Sequence, residues 1–338
     1  MWVSGNGRVC MEKIAVVTGE EFLIRSGVER AQLYAMYAST TGCITTDVAA
    51  MTVPVDDHLV HRGDGVFESF KCVEGSIYNL GAHVDRLEKS CEAIGLSVPV
   101  ERKRLQEIVV QTVRAGGERD ALVRLLISRG TGTMGIDPSA CSGEQLYVVV
   151  YPLNARGGVG AFSSGVRVVT SAIPVKPGMF ARVKSCNYLP NVLMKKEAVD
   201  EGVEFSVSVD EAGCLGEGAT ENFGIVSADN RLLMPPPERV LAGTTARRAM
   251  EQAQVVVREG LLREALYEPI PMEEVRRAKE IHVYGTTPNI TSVIELDGEP
   301  VGSGVPGEVA KRLYDLMRTE MLPQSALLTR VFELDDGR

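Results

Sequence analysis

The sequence predicts an α+β protein of two domains, and three observations carry this prediction. Helical and strand patterns mix along the chain without the regular alternation that builds a doubly wound sheet. The chain has 338 residues, more than a single hydrophobic core usually supports. The stretch NARGGVGAFSSG, at 154–165, is rich in glycine and serine and lacks periodicity, as an interdomain linker does. We therefore expect an N-terminal extension over 1–40, a small α/β domain over 41–153, a larger domain over 166–325 and a tail over 326–338.

The elements of the first 153 residues follow from the spacing of apolar and turn residues. GEEFLIRSGVERAQLYAMYAS, at 19–39, has the pattern of an amphipathic helix, and ITTD followed by MTVPVDD predicts a strand and a turn. The stretch 61–80 predicts a tight turn, a short helix and a hairpin closed at Glu74-Gly75. Helices are predicted over 80–96, with Gly95 as the stop, and over 101–117. Apolar runs predict strands at 121–130 and 144–153.

Strand patterns dominate beyond the linker. VRVVTSAIP, FSVSVD, CLGEGAT and ENFGIVSADNRLLMPP predict strands, the last with a turn at Asp229-Asn230. A helix is predicted from about Thr245 to Arg258, and another near 271–279. EIHVYGTT and NITSVIELDGEPVG predict further strands, and 306–320 predicts a closing helix.

Composition and charge exclude several classes of function. The 36 basic and 45 acidic residues give a net charge of −9 without a basic patch, so we expect no nucleic-acid partner. No apolar run approaches the roughly 20 residues of a membrane span, and no signal pattern opens the chain. The seven cysteines include no CxxC pair and their number is odd, which favours free thiols in a reducing compartment. We therefore expect a soluble, cytoplasmic protein without a membrane partner.

Several cofactor and metal motifs are missing from the sequence. GGVGAFSSG lacks the GxGxxG spacing of a dinucleotide loop, and the chain contains neither a P-loop nor a hydrolase elbow. His58 and His61 are three residues apart, but no third ligand accompanies them in a zinc-site spacing. We interpret this pair as coincidental and expect no metal.

Two Gly-Thr-Thr runs have the features of anion seats. In LAGTTARRAM, at 241–250, the run precedes a helical pattern, so free backbone N–H groups, two hydroxyls and a positive helix end converge there. In IHVYGTTPNI, at 281–290, the run ends an apolar strand. A plain N-cap or turn is the alternative for each run alone. Two runs, together with Lys184 on the apolar approach of FARVKSCNYLPN, favour a phosphorylated cofactor and a carboxylate substrate.

The chain resembles the fold-type IV pyridoxal-phosphate enzymes, which include D-amino-acid and branched-chain aminotransferases and aminodeoxychorismate lyase. The motifs that carry the resemblance lie in the family's order over roughly residues 40 to 320, and HRGDGVFE with KSCNYLPN is most similar to the D-amino-acid members. These motifs are HRGDGVFE, HVDRLEKS, KSCNYLPNVLMKKEAVDEG, LGEGATENFGIV, LAGTTARRAM and YGTTPNITSVIELDGEPV. The resemblance implies the family's two-domain fold, with pyridoxal 5′-phosphate bound in the larger domain.

The resemblance implies a catalytic lysine and partners for the cofactor ring. Lys184 would form a Schiff base with the cofactor aldehyde and later move the proton, so its amine must be neutral. Glu217, in GEGATEN, would bind the pyridine nitrogen and keep the ring protonated, with Glu221 as the competing carboxylate. Tyr188 would reach the 3′-oxygen of the cofactor.

The resemblance also implies the groups that hold phosphate and substrate. Arg86, in HVDRLEKS, would hold the phosphate, and Thr244 and Thr245 would complete the cup around it. Thr286 would add to the cofactor contacts, and Thr287 would contact the substrate carboxylate. His83 is interpreted as a packed helical histidine and is not placed in the catalytic set.

The sequence departs from the family where the substrate binds. The loop after Arg129, GTGTMGIDPSAC, lacks the Arg-x-His clamp of well-known bacterial D-amino-acid aminotransferases, and FESFK lacks the FEGxR of branched-chain enzymes. We predict that Arg129, or an arginine of the first 40 residues, supplies the missing substrate clamp.

The resemblance implies a pyridoxal-phosphate aminotransferase that works by ping-pong exchange between an amino acid and a 2-keto acid. The amino acid is of the D or the branched-chain type, and the sequence leaves this choice open. A lyase of the aminodeoxychorismate type is the alternative, and a binding protein without activity is a third. A homodimer is implied by resemblance.

Overall fold

The computed structural model describes residues 18, 21, 32–153 and 164–333. Its helices and sheets mix along the chain, and the predicted α+β class is confirmed. The α-helices of the described residues are α1 His58–Arg62, α2 Leu80–Ala93, α3 Arg102–Gly116, α4 Met179–Arg182, α5 Leu189–Asp200, α6 Thr244–Arg258, α7 Met272–Arg276 and α8 Glu308–Thr319. The strands are β1 Ala35–Ala38, β2 Cys43–Thr45, β3 Gly65–Val73, β4 Ser76–Tyr78, β5 Ala121–Ser128, β6 Gln145–Pro152, β7 Val166–Thr170, β8 Phe205–Val209, β9 Leu215–Gly218, β10 Asn222–Val226, β11 Arg231–Met234, β12 Glu264–Tyr267, β13 Glu280–Gly285, β14 Asn289–Leu296, β15 Glu299–Pro300 and β16 Leu328–Arg330.

The first sheet is antiparallel, in the order β16-β4-β3-β5-β6-β1-β2. Helices α2 and α3 pack on one face of it, through β3 and through β1 and β6. The helical spacing of Leu80, Val84 and Leu87 turns one apolar stripe of α2 toward this core. The opposite face of β3 and β5 is left free to face the second half of the chain.

The second sheet runs β12-β11-β10-β13-β14-β7-β8-β9. Strand β9 also pairs with β10, where Glu217 lies opposite Asn222, so six strands close into a ring. Apolar side chains that include Phe223, Val283 and Val293 form a core within this sheet. Helices α6 and α8 pack together against β13 and β14. Closure of the ring carries Glu217 to the edge that faces the first sheet.

Most predicted elements are confirmed, often within one or two residues. The hairpin turns at Glu74 and Gly75 with φ of 50° and 79°, and α3 ends at Gly117 with φ of 77°. The short helix predicted within 61–80 is wrong, because 65–73 forms strand β3. Both faces of β3 are buried, so its apolar residues do not alternate and the spacing does not identify a strand. Helix α5 and strand β12 were not predicted.

The predicted domain boundaries stay a prediction, although the sheets bear on them. The division at 154–165 falls between β6 of the first sheet and β7 of the second, and 154–163 lie outside the described residues. Strand β1 lies within the predicted extension, and β16 lies within the predicted tail, yet both pair in the first sheet. Most of the helix predicted over 19–39 lies outside the described residues, and its end is β1. No helix of the described residues is long and apolar enough to cross a membrane.

Candidate active site

A cavity of about 370 Å³ opens where the two sheets meet. Strand β3 contributes Phe67, strand β5 contributes Arg124, and the start of α6 contributes Thr244. Residues from both halves of the chain are therefore needed to form it. Of the residues that the sequence predicts for the site, seven line this cavity: Arg86, Lys184, Tyr188, Thr244, Thr245, Thr286 and Thr287.

Lys184 is fixed in the cavity by its backbone. Its carbonyl accepts a hydrogen bond from Phe67 N at 2.9 Å, and its N–H donates to Ser90 Oγ at 3.3 Å. The side chain is 7% exposed, and Nζ donates to the Tyr188 hydroxyl at 3.3 Å. Burial, aided by the charge of Arg86, lowers the pKa of Lys184 to about 8. About a tenth of this amine is neutral at pH 7, far more than at the ordinary pKa of 10.5, and the neutral form is the one that a nucleophilic lysine uses.

Glu217 lies in a narrow cleft that Lys184 and Tyr188 also line. Its backbone is held by Ser208, whose Oγ accepts from Glu217 N at 3.1 Å and donates to Glu217 O at 2.7 Å. One carboxylate oxygen accepts from Leu241 N at 2.9 Å, and the other has no donor among the described residues. Burial raises the pKa of Glu217. A buried carboxyl with one oxygen available fits a cationic ring nitrogen.

Glu221, the competing carboxylate, is turned toward its own loop. Its Oε2 accepts from Thr220 N at 3.0 Å, and its Oε1 accepts from the Thr220 hydroxyl. Burial raises its pKa as well. Because both oxygens are occupied by Thr220, Glu217 is the better partner for a cation in the cleft.

The start of α6 forms one end of the cavity. Thr244 and Thr245 are buried there, and their N–H groups belong to the unpaired first turn of a 15-residue helix. The preceding Gly243 has no room for a side chain, since a Cβ would lie 1.8 Å from Asn222 Oδ1. Because Gly243 carries no side chain, the N–H groups and hydroxyls at the positive end of the helix form an open cradle. This cradle suits a phosphate.

Arg86 reaches the same end of the cavity from α2. Its Nε and one terminal nitrogen each donate to a Glu68 carboxylate oxygen at 2.7 Å, and its other terminal nitrogen donates to Ala242 O at 3.2 Å. His83 Nδ1 is 2.8 Å from the same carboxylate, and His83 Nε2 is 3.4 Å from Thr244 Oγ1. Although burial opposes ionisation of Glu68, Arg86 and His83 lower its pKa to about 2. Glu68 is the last residue of HRGDGVFE, but it was not predicted as a site residue, because nothing in the sequence indicates that it pairs with Arg86.

The second Gly-Thr-Thr run completes the cavity wall. Thr286 and Thr287 lie in the turn between β13 and β14, and the Thr286 hydroxyl donates to Ser69 O at 3.4 Å. Asn187 lies apart from this wall, where its amide donates to Gly63 O at 3.0 Å. The two threonine runs, distant in sequence, therefore face one space.

Arg129 is not a residue of this cavity, and its predicted place at the substrate is corrected. Its guanidinium donates to Asp64 at 2.7 and 3.0 Å, to Ile94 O at 2.9 Å and to Gly95 O at 3.2 Å. These bonds use four of its five N–H donors, so within this chain Arg129 holds a loop and lies outside the lining of the cavity.

Arg124 lines the cavity instead, and the sequence analysis missed it. Strand alternation buries Val123 and Leu125 in the core and turns Arg124 to the opposite face of β5. Its guanidinium carbon lies 4.7 Å from the Phe67 ring centroid. One of its terminal nitrogens donates to the Tyr151 hydroxyl at 3.4 Å. Its buried Nε has no hydrogen-bond partner among the described residues. The sequence signal that could have identified Arg124 is an arginine within an otherwise apolar strand.

The residues present fit pyridoxal 5′-phosphate. A buried amine of lowered pKa suits the aldehyde, a buried carboxyl suits the ring nitrogen, and the cradle that Gly243 opens suits the phosphate. Lys184 and Glu217 line the narrow cleft, while Lys184 and Thr244 line the main cavity, so all three lie around connected space.

Comparisons with known proteins agree with this chemistry. Residues 65–296 match the family described as amino-transferase class IV. The chain is 38% identical over 304 residues to D-amino-acid transaminase, chloroplastic, of Arabidopsis thaliana, covering 90% of this chain and 80% of that protein. It is 32% identical to a putative branched-chain-amino-acid aminotransferase of Methanocaldococcus jannaschii, covering 78% and 89%. The crystal structure of Escherichia coli branched-chain amino acid aminotransferase superposes with a TM-score of 0.79 at 25% identity, covering 90% and 100%.

Proposed function

The chain belongs to the class IV aminotransferases, and from that premise we propose how its residues divide the work of pyridoxal-phosphate-dependent transamination. The alternative of a lyase is not favoured, because the named relatives are transaminases. The observation that carries the proposal is the meeting of the Lys184 amine, the Glu217 carboxyl and the threonine cradle around one space.

Pyridoxal phosphate supplies an aldehyde that takes up the amino group and a protonated ring that accepts electrons from the substrate Cα. Lys184 Nζ would bind at the aldehyde and would afterwards move the proton between the substrate and the cofactor. Glu217 would hold the proton on the ring nitrogen, and its burial would keep that pairing away from water. Tyr188 stays protonated, because burial raises its pKa, and its hydroxyl orients the 3′-oxygen.

The phosphate is held by Arg86, Thr244, Thr245 and Thr286. Arg86 is held in place by its paired bonds to Glu68, so little side-chain freedom is lost when the phosphate binds. The first turn of α6 donates backbone N–H groups to the same oxygens. Phosphate binding in this cradle would fix the position of the cofactor ring, and thereby the direction from which Lys184 approaches the cofactor.

Arg124 and Thr287 bind substrate carboxylates. The buried Nε of Arg124 has no partner in the described part of the chain, and a carboxylate would give it one while pairing its charge. The nearby Phe67 ring shields this pair from water on one side. A dicarboxylate acceptor such as 2-oxoglutarate offers a carboxylate for each of the two residues.

D-amino acids are the proposed donors. The relative that covers 90% of this chain is named a D-amino-acid transaminase, whereas the branched-chain relatives with at least 30% identity cover 78% or less. The test is a panel of D- and L-amino acids, each mixed alone with the holoenzyme, followed by the absorbance change as the cofactor takes the amino group. Conversion by L-leucine and L-valine but not by D-alanine would overturn the D assignment.

The catalytic assignment has its own test. Borohydride should attach the cofactor to Lys184, and a Lys184→Ala protein should lose both the attachment and turnover. Lys196→Ala is the matched control, because Lys196 is an exposed lysine of α5 that pairs with Asp200. Full turnover in Lys184→Ala would contradict the mechanism.

A homodimer is also part of the proposal, with a second copy of this chain as the partner. Exposed apolar side chains lie on α4, α5 and the loop after β5, where water would otherwise contact them. They are Met134, Ile136, Met179, Phe180, Leu189, Val192, Leu193 and Val199. Arg62 of α1 donates to Gly135 O at 3.2 Å, which ties that loop to the α1 surface.

A cytoplasmic location remains a proposal as well. The described cysteines are all free, as a reducing compartment allows. One relative is named chloroplastic, so an organelle is the competing location. Fractionation of the source cells, with detection of this chain by antibody, decides between them.

A further inference from the structure

A second, small cavity lies behind the threonine cradle. It measures about 10 Å³, which is room for about one water molecule. Thr244, Thr245 and Thr286 line both this cavity and the main one, so they form the wall between them. Lys71 lines the small cavity on the far side of that wall.

Strand β3 carries Lys71 to this place. Phe67 and Ser69 line the main cavity, and alternation puts Lys71 next on the same face of the strand. The side chain is 7% exposed, and its Nζ donates to Asn289 Oδ1 at 2.6 Å. Asn289 is its one polar partner in the described part of the chain, so two of the three ammonium protons remain for other acceptors.

The charged groups around the threonine cradle do not offset the positive charge of Lys71. Arg86 is paired with Glu68, and the low pKa of Glu68 keeps that pair neutral overall. Burial lowers the pKa of His83, so its ring adds no charge at neutral pH. The phosphate of the cofactor carries close to two negative charges, and neither of these groups offsets them.

We propose that Lys71 provides a full positive charge for the cofactor phosphate, through one water molecule and the hydroxyls of the threonine wall. This inference rests on the proposed phosphate seat at Thr244, Thr245, Thr286 and Arg86. Lys71 does not touch the phosphate, and it acts through the wall as a positioning and charge-compensating residue.

Lys71 also gives phosphate binding a pH dependence. Burial lowers its pKa to about 8, and no acidic residue offsets the burial. The other titratable groups at the small cavity are His83 on α2 and Tyr78 on β4, whose hydroxyl donates to Glu320 at 2.6 Å. Burial raises the pKa of Tyr78, so its hydroxyl does not change its protonation between pH 8 and 9. The Glu320 carboxylate is paired with Arg248, so it does not take up a proton in this range either. An arriving phosphate should draw protons onto Lys71 in that range, up to about half a proton per site at pH 8 and up to about 0.9 at pH 9.

The test measures inorganic phosphate binding to the cofactor-free full-length chain by titration calorimetry, at pH 8 and pH 9 and in two buffers of different ionisation enthalpy. The wild-type chain should take up protons on binding. Lys71→Arg should bind as tightly at pH 8 and take up fewer protons at pH 9, because arginine stays charged. Lys71→Met should bind about tenfold more weakly at pH 8, the effect of losing one charge-assisted contact.

Equal proton uptake by the wild-type and Lys71→Arg proteins would overturn the proposal, as would unchanged affinity in Lys71→Met. Should Lys71→Met fail to fold, the Lys71→Arg comparison still decides. The titration of Lys184 is common to all these proteins and cancels in the difference. Arg86→Gln separates the two levels of inference. If Arg86→Gln weakens phosphate binding and the Lys71 variants do not, only the proposed role of Lys71 is wrong. If none of these substitutions changes phosphate binding, the proposed phosphate site itself is wrong.

Discussion

Replacing Lys184 by methionine should stabilise the cofactor-free protein while abolishing its activity. The pKa of the buried amine falls from 10.5 to about 8, and at 1.36 kcal/mol for each pKa unit this costs about 3 kcal/mol when the amine is charged. The variant loses one hydrogen bond to Tyr188, worth about 1 kcal/mol. Methionine keeps a similar length in the same space, so at pH 7 we expect a net gain of about 2 kcal/mol.

The pH dependence of this gain has a definite sign. Between pH 8 and 10.5 the unfolded chain keeps a proton on this lysine that the folded chain has released, so folded stability rises with pH across that window. The advantage of Lys184→Met should therefore shrink as the pH approaches 10.5.

Urea unfolding of the cofactor-free proteins, followed by circular dichroism at pH 7 and pH 10, measures both effects. Lys196→Met serves as the control, because its exposed side chain carries no comparable burial cost. A Lys184→Met protein that is less stable than the wild type at pH 7, or whose advantage does not change with pH, would refute the reasoning.

Four further predictions concern the ring, the substrate, the buried network and the subunit contact. Glu217→Gln should keep the cofactor but lose about a hundredfold or more in kcat, because an amide does not hold the ring proton; an unchanged kcat in stopped-flow assays would contradict the role. Arg124→Leu should raise KM for 2-oxoglutarate by at least about tenfold, whereas Arg129→Leu should leave that KM unchanged and lower stability instead. The pKa of Glu68 is about 2 and its usual value is 4.5, so its contribution of about 3 kcal/mol is present above pH 4.5 and is lost as pH falls toward 2; acid unfolding of Glu68→Gln should lack this component. Leu189→Asp should shift the protein toward monomer in sedimentation velocity, and a wild-type protein that is already monomeric would refute the dimer.

Elements whose sequence signals act over a few residues form where the sequence predicts them, whereas elements shaped by distant neighbours do not. Helix α3 and the hairpin at Gly75 depend on glycine positions and on spacing within a few turns, and both are where the sequence predicts them. Strand β3 was misread as partly helical because burial on both of its faces removes the alternation. Its two faces serve different neighbours, α2 on one side and the cavity on the other, and that arrangement exists only in the folded chain.

The sequence by itself determined the cofactor: a lysine, a glutamate and two Gly-Thr-Thr runs in the order of a known family indicate pyridoxal phosphate and favour transamination, with a lyase as the open alternative. Tertiary structure decided which charged groups act together. It tied Arg129 to Asp64, placed Arg124 at the cavity, joined Glu68 to Arg86, and put Lys71 behind the threonine wall. The physical reason is that a motif is read along the chain, whereas the partner of a buried charge is set by strand alternation and by closure of the second sheet against the first.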